Sequence, residues 1–310
     1  MNGIATILEY LNAVPAWYLA TSVNGQPHVR PFSFAAEEHG KIWFCTATTK
    51  DVWEELLENQ RFEATSWWPG HGWLILRGKA GLEDLVGEEV RAAGYEHLES
   101  LGEHYDGPHD ETLVFFSVEE PQAWICNHDE WAPIECRRAA TPPRFTPRSD
   151  SDCSRMQIPG VTMTNNAAYE ALEEIVDYLT GIPAWFLATI DESDTVQPRV
   201  RPFSFAAAEQ GKLWFSTSRD KDVYRELARN PKFELSGWKP GEYWIVVTGQ
   251  ADLADDASAS AALRQAGFEH MVGIGEHHDS PNDGRLVYFS VRNGVAHMRD
   301  IDGSERTLTF

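Results

Sequence analysis

Apolar residues recur at helical spacing between Tyr169 and Leu179, where Leu172, Ile175, Val176 and Leu179 share one face. The pattern predicts a helix, which Gly181 and Pro183 end. It then switches to short apolar runs of strand length. AWFLAT (Ala184 to Thr189) is the first, DESDT is a turn, and VRPFSFA (Val200 to Ala206) is the next strand. A turn at Gln210-Gly211 leads into the strand KLWFST. DKDVYRELARN reads as a short helix with Asp220 as its cap. KFELSGW and YWIVVTGQADL are strands joined by the turn KPGE. Ala257 to Ile274 reads as helix, and LVYFSV and VAHMRD close the series as strands around an Arg292-Asn293-Gly294 turn.

The same order occurs earlier in the chain. RPFSFAA stands at Arg30 to Ala36 and at Arg201 to Ala207. PAWYLAT matches PAWFLAT, GKIWF matches GKLWF, and AGYEHLESLGEHYD matches AGFEHMVGIGEHHD. LVFFSV at Leu113 matches LVYFSV at Leu286. The offset grows from 168 at Pro15 to 171 at Arg30 and 173 at Leu113, so the insertions fall in loops. In the first copy Asn24-Gly25 is a strong hairpin signal. Two long copies are two domains and not a solenoid of many short units. The expected division is residues 1–138, a linker at 139–168 rich in Pro, Ser and Asp, and residues 169–310. Strands outnumber helices and hairpins join most of them. The fold class is therefore mainly β with peripheral helices (α+β), each copy an antiparallel sheet closing into a barrel. Two such units can pair about a pseudo-two-fold axis within one chain.

Composition narrows the function. The 310 residues carry a net charge of -22, which argues against nucleic acid and anionic membranes as partners. No apolar stretch approaches transmembrane length, and MNGIATILEYLNAV is not a basic leader. Cys45, Cys126, Cys136 and Cys153 form no CxxC, and the second repeat has none of them. Reduced thiols and a cytoplasmic location are expected.

Each copy carries three features suited to an anion. An arginine opens the repeated strand (Arg30, Arg201). Hydroxyls end the next strand: Thr46, Thr48 and Thr49, or Ser216, Thr217 and Ser218. A lysine then opens the following helix (Lys50, Lys221), where free N–H groups and the helix dipole favour negative charge. The competing reading makes the arginines solvent-facing strand residues and the lysines ordinary helix charges. Asp51, Asp220 and Asp222 beside the lysines favour that reading.

This ordered set, QPRVRPFSFA–GKLWFSTSRDKDVYRELARNPKFEL in the second copy, resembles the pyridoxamine 5'-phosphate oxidase-like, FMN-binding split β-barrel family. The resemblance runs from Pro15 to Val118 and from Pro183 to Val291. It implies two split barrels and FMN in the grooves between them, with the tandem chain as its own dimer. Arg201, Thr217, Ser218 and Lys221, with Arg199, would hold phosphate and ribityl chain, as would Arg30, Thr46, Thr49 and Lys50. The backbone of Pro202, Phe203 and Ser204, or of Pro31, Phe32 and Ser33, would lie along the flavin ring. His28 replaces Arg199 in the first copy, and Gln60 replaces Pro231. The implied activity is a flavin-dependent oxidoreductase acting on a small molecule, with a nicotinamide donor as a candidate partner; no catalytic side chain is required, because the flavin carries the chemistry. Pyridoxamine phosphate oxidation itself is not expected, since DIDGSERTLTF offers only Arg306 as a cation.

Three other readings stay open. His97 and His104 recur as His270 and His277, which makes a non-catalytic haem or flavin carrier the rival, with His277 and His104 as haem ligands. A deazaflavin is a third cofactor choice. Trp67 and Trp238, at strand ends before turns, are candidate walls of a flavin pocket. No HxxxH or HExxH pattern supports zinc.

Overall fold

The computed structural model describes residues 3–101, 103, 105–127, 130–134, 166–182, 184–193, 196–239, 243–273, 275–299 and 304–310. Most of the expected linker, 139–165, lies outside them, as do Cys136 and Cys153. Contacts divide the chain into two units, Met1–Asn24 with Arg30–Pro143 and Thr195–Val200, and Gly25–Val29 with Arg144–Asp194 and Arg201–Phe310. Each unit thus includes a short segment whose sequence lies in the other repeat.

The first repeat runs α1 (Gly3–Asn12), β1 (Trp17–Val23), β2 (Gln26–Phe32), β3 (Ala36–Glu38), β4 (Lys41–Ala47), α2 (Asp51–Glu58), β5 (Arg61–Trp68), β6 (Gly72–Gly81), α3 (Glu88–Ser100), β7 (Leu113–Asn127) and β8 (Glu130–Ile134). The second runs α4 (Asn166–Thr180), β9 (Trp185–Ile190), β10 (Pro198–Phe203), β11 (Ala206–Glu209), β12 (Lys212–Ser218), α5 (Asp222–Arg229), β13 (Lys232–Trp238), β14 (Trp244–Asp252), a 3-10 turn (Leu253–Ser258), α6 (Ala261–Gly273), β15 (Leu286–Arg299) and β16 (Glu305–Thr309). The strand order β2-β1-β5-β6-β7-β4-β3, with β8 on β7, recurs as β10-β9-β13-β14-β15-β12-β11, with β16 on β15. The fold class is the expected one: two eight-stranded antiparallel sheets with helices around them.

Ring contacts show that the sheets curl. β1 and β4 are four steps apart in the strand order. A flat sheet would hold them about 19 Å apart. Yet the rings of Trp17 on β1 and Phe44 on β4 lie 4.6 Å apart, and those of Trp185 and Phe215 lie 5.0 Å apart in the second sheet. The enclosed face packs Leu19, Phe62, Leu74, Phe116 and α1 residues into one core, with an equivalent core in the second unit. A second cluster lies on the opposite face, under α3 or α6. There Gly94 and Gly267 let helix and sheet approach closely: an added Cβ would stand 2.6 Å from Phe115 and 2.4 Å from Tyr288.

Local expectations need four corrections. RPFSFA is not one strand: β10 ends at Phe203 and β11 starts at Ala206, leaving Ser204 and Phe205 between them. Asp220 does not cap α5; Lys221 holds the N-cap position and makes no side-chain capping bond. A 3-10 turn and then α6 replace the single helix over Ala257 to Ile274. Finally, Arg292-Asn293-Gly294 is not a turn. β15 runs through it, absorbing an extra residue as a register shift opposite Thr248 and Gln250, with Asn293 at φ 53°. Pairing with β14 on both sides of the shift, and with β16 from Val295 onward, outweighs the local turn signal. Among the described residues, no helix is long and apolar enough to cross a membrane.

Candidate functional site

The repeated strand's arginine meets a carboxylate that belongs to the chain. α2 buries Val52, Glu55 and Leu56, and α5 buries Val223, Glu226 and Leu227. This i, i+3, i+4 stripe would be apolar but for the glutamate. Glu55 and Glu226 are 7% and 3% exposed, so each needs a counter-charge. Arg30 supplies it at 2.6 Å and also donates to Thr21 Oγ1 at 2.6 Å. Arg201 does the same with Glu226 at 2.6 Å and Thr189 Oγ1 at 2.7 Å. Each threonine also donates to its glutamate. The triad Thr–Arg–Glu therefore recurs in both units. Its glutamate was legible as the charge in the helix stripe of both copies.

The lysines are engaged too. Lys50 Nζ lies 2.6 Å from Glu103, just beyond α3. Lys221 Nζ lies 2.5 Å from Glu276, just beyond α6. Glu103 also accepts from the Tyr105 hydroxyl at 2.6 Å. In the second unit the tyrosine is replaced by His278, whose side chain is 3% exposed, with Glu276 at 3.8 Å and Asp283 at 3.5 Å.

The hydroxyl cluster does not converge on one point. Leu213 and Phe215 on β12 belong to the enclosed core and Trp214 to the opposite cluster. Strand alternation then puts Thr217 on the core face, and Ser216 and Ser218 on the α6 face. All three are buried. Ser216 Oγ and Thr217 Oγ1 have no hydrogen-bond partner among the described residues, while Ser218 Oγ accepts from the Asp220 N–H at 3.5 Å. In the first unit Cys45 stands where Ser216 does. It is a free, buried thiol, and burial pushes its pKa up. Thr46 is buried and Thr49 exposed.

Ser33 and Ser204 lie in the strand break, each bonded to a histidine from the helix above. His97 Nε2 is 2.8 Å from Ser33 Oγ, and His270 Nε2 is 2.7 Å from Ser204 Oγ. Phe34 and Phe205 pack against the same imidazoles. Burial holds His97 below its ordinary pKa, against the opposing pull of Glu103. Pro31, Phe32, Pro202 and Phe203 are half-buried on the strand beside these serines.

Arg199 and His28 do not join either cradle. In the first unit Arg199 lies 3.3 Å from the buried Glu63, which also takes Arg77 and the Val200 N–H. In the second, His28 lies 3.1 Å from Glu234, which accepts the Val29 N–H at 2.7 Å. Trp67 stacks on Trp73 at 5.4 Å, and Trp238 pairs in register with Trp244. Of the candidate haem ligands, His277 is exposed and His104 lies outside the described residues. Among the described residues no cluster of His, Cys, Asp and Glu suits a metal ion. A cavity of about 430 Å³ in the second unit is lined by Glu174, Asp177, Tyr178, Gly181, Lys239 and Tyr243, none of them a candidate site residue.

A family model for pyridoxamine 5'-phosphate oxidase matches residues 5–124 and again 171–295. No curated protein matches the chain. Among solved structures, a NimC/NimA family protein from Clostridium acetobutylicum is 25% identical with a TM-score of 0.40, over 47% of this chain and 96% of its own. General stress protein 26 from Bacillus anthracis is 18% identical with a TM-score of 0.31, over 45% and 99%. A pyridoxamine 5'-phosphate oxidase-related, FMN-binding protein from Nostoc punctiforme is 12% identical with a TM-score of 0.34, over 48% and 99%.

Proposed function

The chain belongs to the pyridoxamine 5'-phosphate oxidase family, and from that membership we propose that it binds a flavin, FMN, and acts as a flavin-dependent oxidoreductase on a small molecule. The observation that carries the proposal is in the second unit. Ser216 Oγ is buried with no hydrogen-bond partner among the described residues, five residues before Lys221, the N-cap of α5. An orphaned hydroxyl, a lysine and free helix N–H groups are the donor set a phosphate takes. Ser216, Ser218 and Lys221 would hold the phosphate end. Thr217 would not, because it faces the core. Arg201 would act indirectly, its ion pair with Glu226 holding the strand of Pro202, Phe203 and Ser204 in place. Bound FMN would supply hydride chemistry, with a nicotinamide donor or organic substrate as the other party.

In the first unit Lys50 and Thr49 would do the corresponding work; Thr46, which matches Thr217, faces the core with Ile42 and Phe44, and Cys45 is a poor phosphate donor. The second site is therefore the stronger of the two. A cytoplasmic, reduced setting suits the buried thiol Cys45.

The absorption spectrum of the purified protein tests the proposal. Flavin bands, release of FMN on denaturation and bleaching by a nicotinamide donor without oxygen are expected. A colourless protein that binds no added FMN overturns the flavin reading. Bound flavin that no donor reduces overturns the oxidoreductase reading and leaves a carrier.

A further inference from the structure

Each cradle lysine is held by a glutamate from a helix-terminating turn. After α6, Gly275 takes φ 82°. Its N–H bonds Val272 O at 3.0 Å, and the next N–H, of Glu276, reaches back to Met271 O at 2.9 Å. This is a Schellman termination, and it fixes the residue after the glycine. The Glu103 N–H makes the equivalent bond to Leu98 O at 3.1 Å after α3. In both repeats the fold therefore delivers one carboxylate to the lysine that caps a different helix, α2 or α5.

Two further observations separate this pairing from an ordinary surface ion pair. The first is that each glutamate has a second polar side chain beside it. Glu103 takes the Tyr105 hydroxyl, and Glu276 has the buried His278 within 3.8 Å. In the first unit a lysine that lets go leaves Glu103 hydrogen-bonded to the Tyr105 hydroxyl. The second is the unpartnered, buried hydroxyl of Ser216. Cys45, at the matching strand position, feels the charges of both Glu103 and Lys50. Cys45 and Ser216 share the sheet face that α3 and α6 cover, the helices whose ends carry the two glutamates.

We propose that Glu103 and Glu276 are internal anions standing in an anion site, and that a phosphate-bearing ligand binds by taking Lys50 or Lys221 from them. Each glutamate is an autoinhibitory contact of the site. The choice of FMN as ligand rests on the flavin proposal above; the contact itself does not. A tethered carboxylate competes at an effective concentration on the order of millimolar. The ligand's apparent affinity falls by the fraction of molecules in which the lysine is free.

The test compares the full-length protein with Glu276→Gln and Glu103→Gln, using FMN and inorganic phosphate as separate probes. Glutamine keeps the size of the side chain and removes its charge. FMN binding is read by quenching of flavin fluorescence, and phosphate binding by the shift in melting temperature. Tighter binding in the variants, by about tenfold for Glu276→Gln, is expected. Lys221→Ala should remove the gain. Variants that bind both probes as the parent does, or more weakly, overturn the proposal while leaving FMN binding in the parent to stand for the flavin reading. Variants that gain phosphate affinity when no form binds FMN support the contact and overturn the flavin reading. Binding of neither probe by any form overturns both. The melting curve without ligand confirms that each variant is folded, and Glu103, the more exposed glutamate, provides a second, independent site.

Discussion

Arg201 stands in an apolar strand because a helix on the same core carries a carboxylate into it. Its side chain is 12% exposed and that of Glu226 is 4% exposed. Breaking such a pair leaves a buried charge, which costs far more than the pair contributes when intact. Arg201→Ala is expected to destabilise the protein by about 3 kcal/mol. The double variant Arg201→Met with Glu226→Leu should recover most of that loss, because no charge is left behind. Denaturant midpoints of the three proteins check this. An Arg201→Ala midpoint equal to the parent's would return the arginine to the role of a free ligand. The sequence makes the arginine conspicuous and its register across the repeats plain. It also shows Glu226 within the helix stripe, but the meeting of the two depends on how α5 packs against β9 and β12. Charge patterns along a chain do not contain that information.

At the scale of elements, the largest departure from the sequence pattern is β15. Arg292-Asn293-Gly294 has turn chemistry, yet the strand passes through it with Asn293 at φ 53°. Asparagine tolerates that conformation and β-branched residues do not. Asn293 is exposed, so packing does not confound a substitution there. Asn293→Val should cost about 1 kcal/mol, and Asn293→Gly should be nearly neutral. Equal stabilities by chemical denaturation would mean that the strand does not hold the bulge. Most helices were legible from an undisturbed 3.6-residue apolar period, and most strands as short apolar runs bounded by turn residues. The failures at Ser204 and Asn293 share a cause: the structure there is decided by a partner distant in sequence. The Ser33–His97 and Ser204–His270 pairs belong to the same class. Both members recur in the repeats, but only the close approach permitted by Gly94 and Gly267 brings them together.

At the scale of the whole molecule, the duplication reads at first as two self-sufficient halves. The composition of the units argues otherwise. The second unit takes Gly25–Val29 from the first repeat. Within it, His28 and the Val29 N–H are partners of Glu234, which is 7% exposed. Asn230 donates to Gly25 O at 2.8 Å in the same place. A fragment starting at residue 166 keeps every strand of its sheet but loses these partners. Its buried carboxylate would then have no charge-bearing neighbour from that segment, a cost of several kcal/mol on a domain whose total stability is about 10 kcal/mol. The fragment is expected to be insoluble, or to associate so that another copy's strand end supplies the missing donors. Adding Glu234→Gln should improve its soluble yield, because an uncharged amide is cheaper to bury. Size-exclusion chromatography and a thermal melt decide the matter. A monomeric fragment that unfolds cooperatively at the parent's melting temperature would show that the exchanged segment is dispensable and that each repeat is complete in itself.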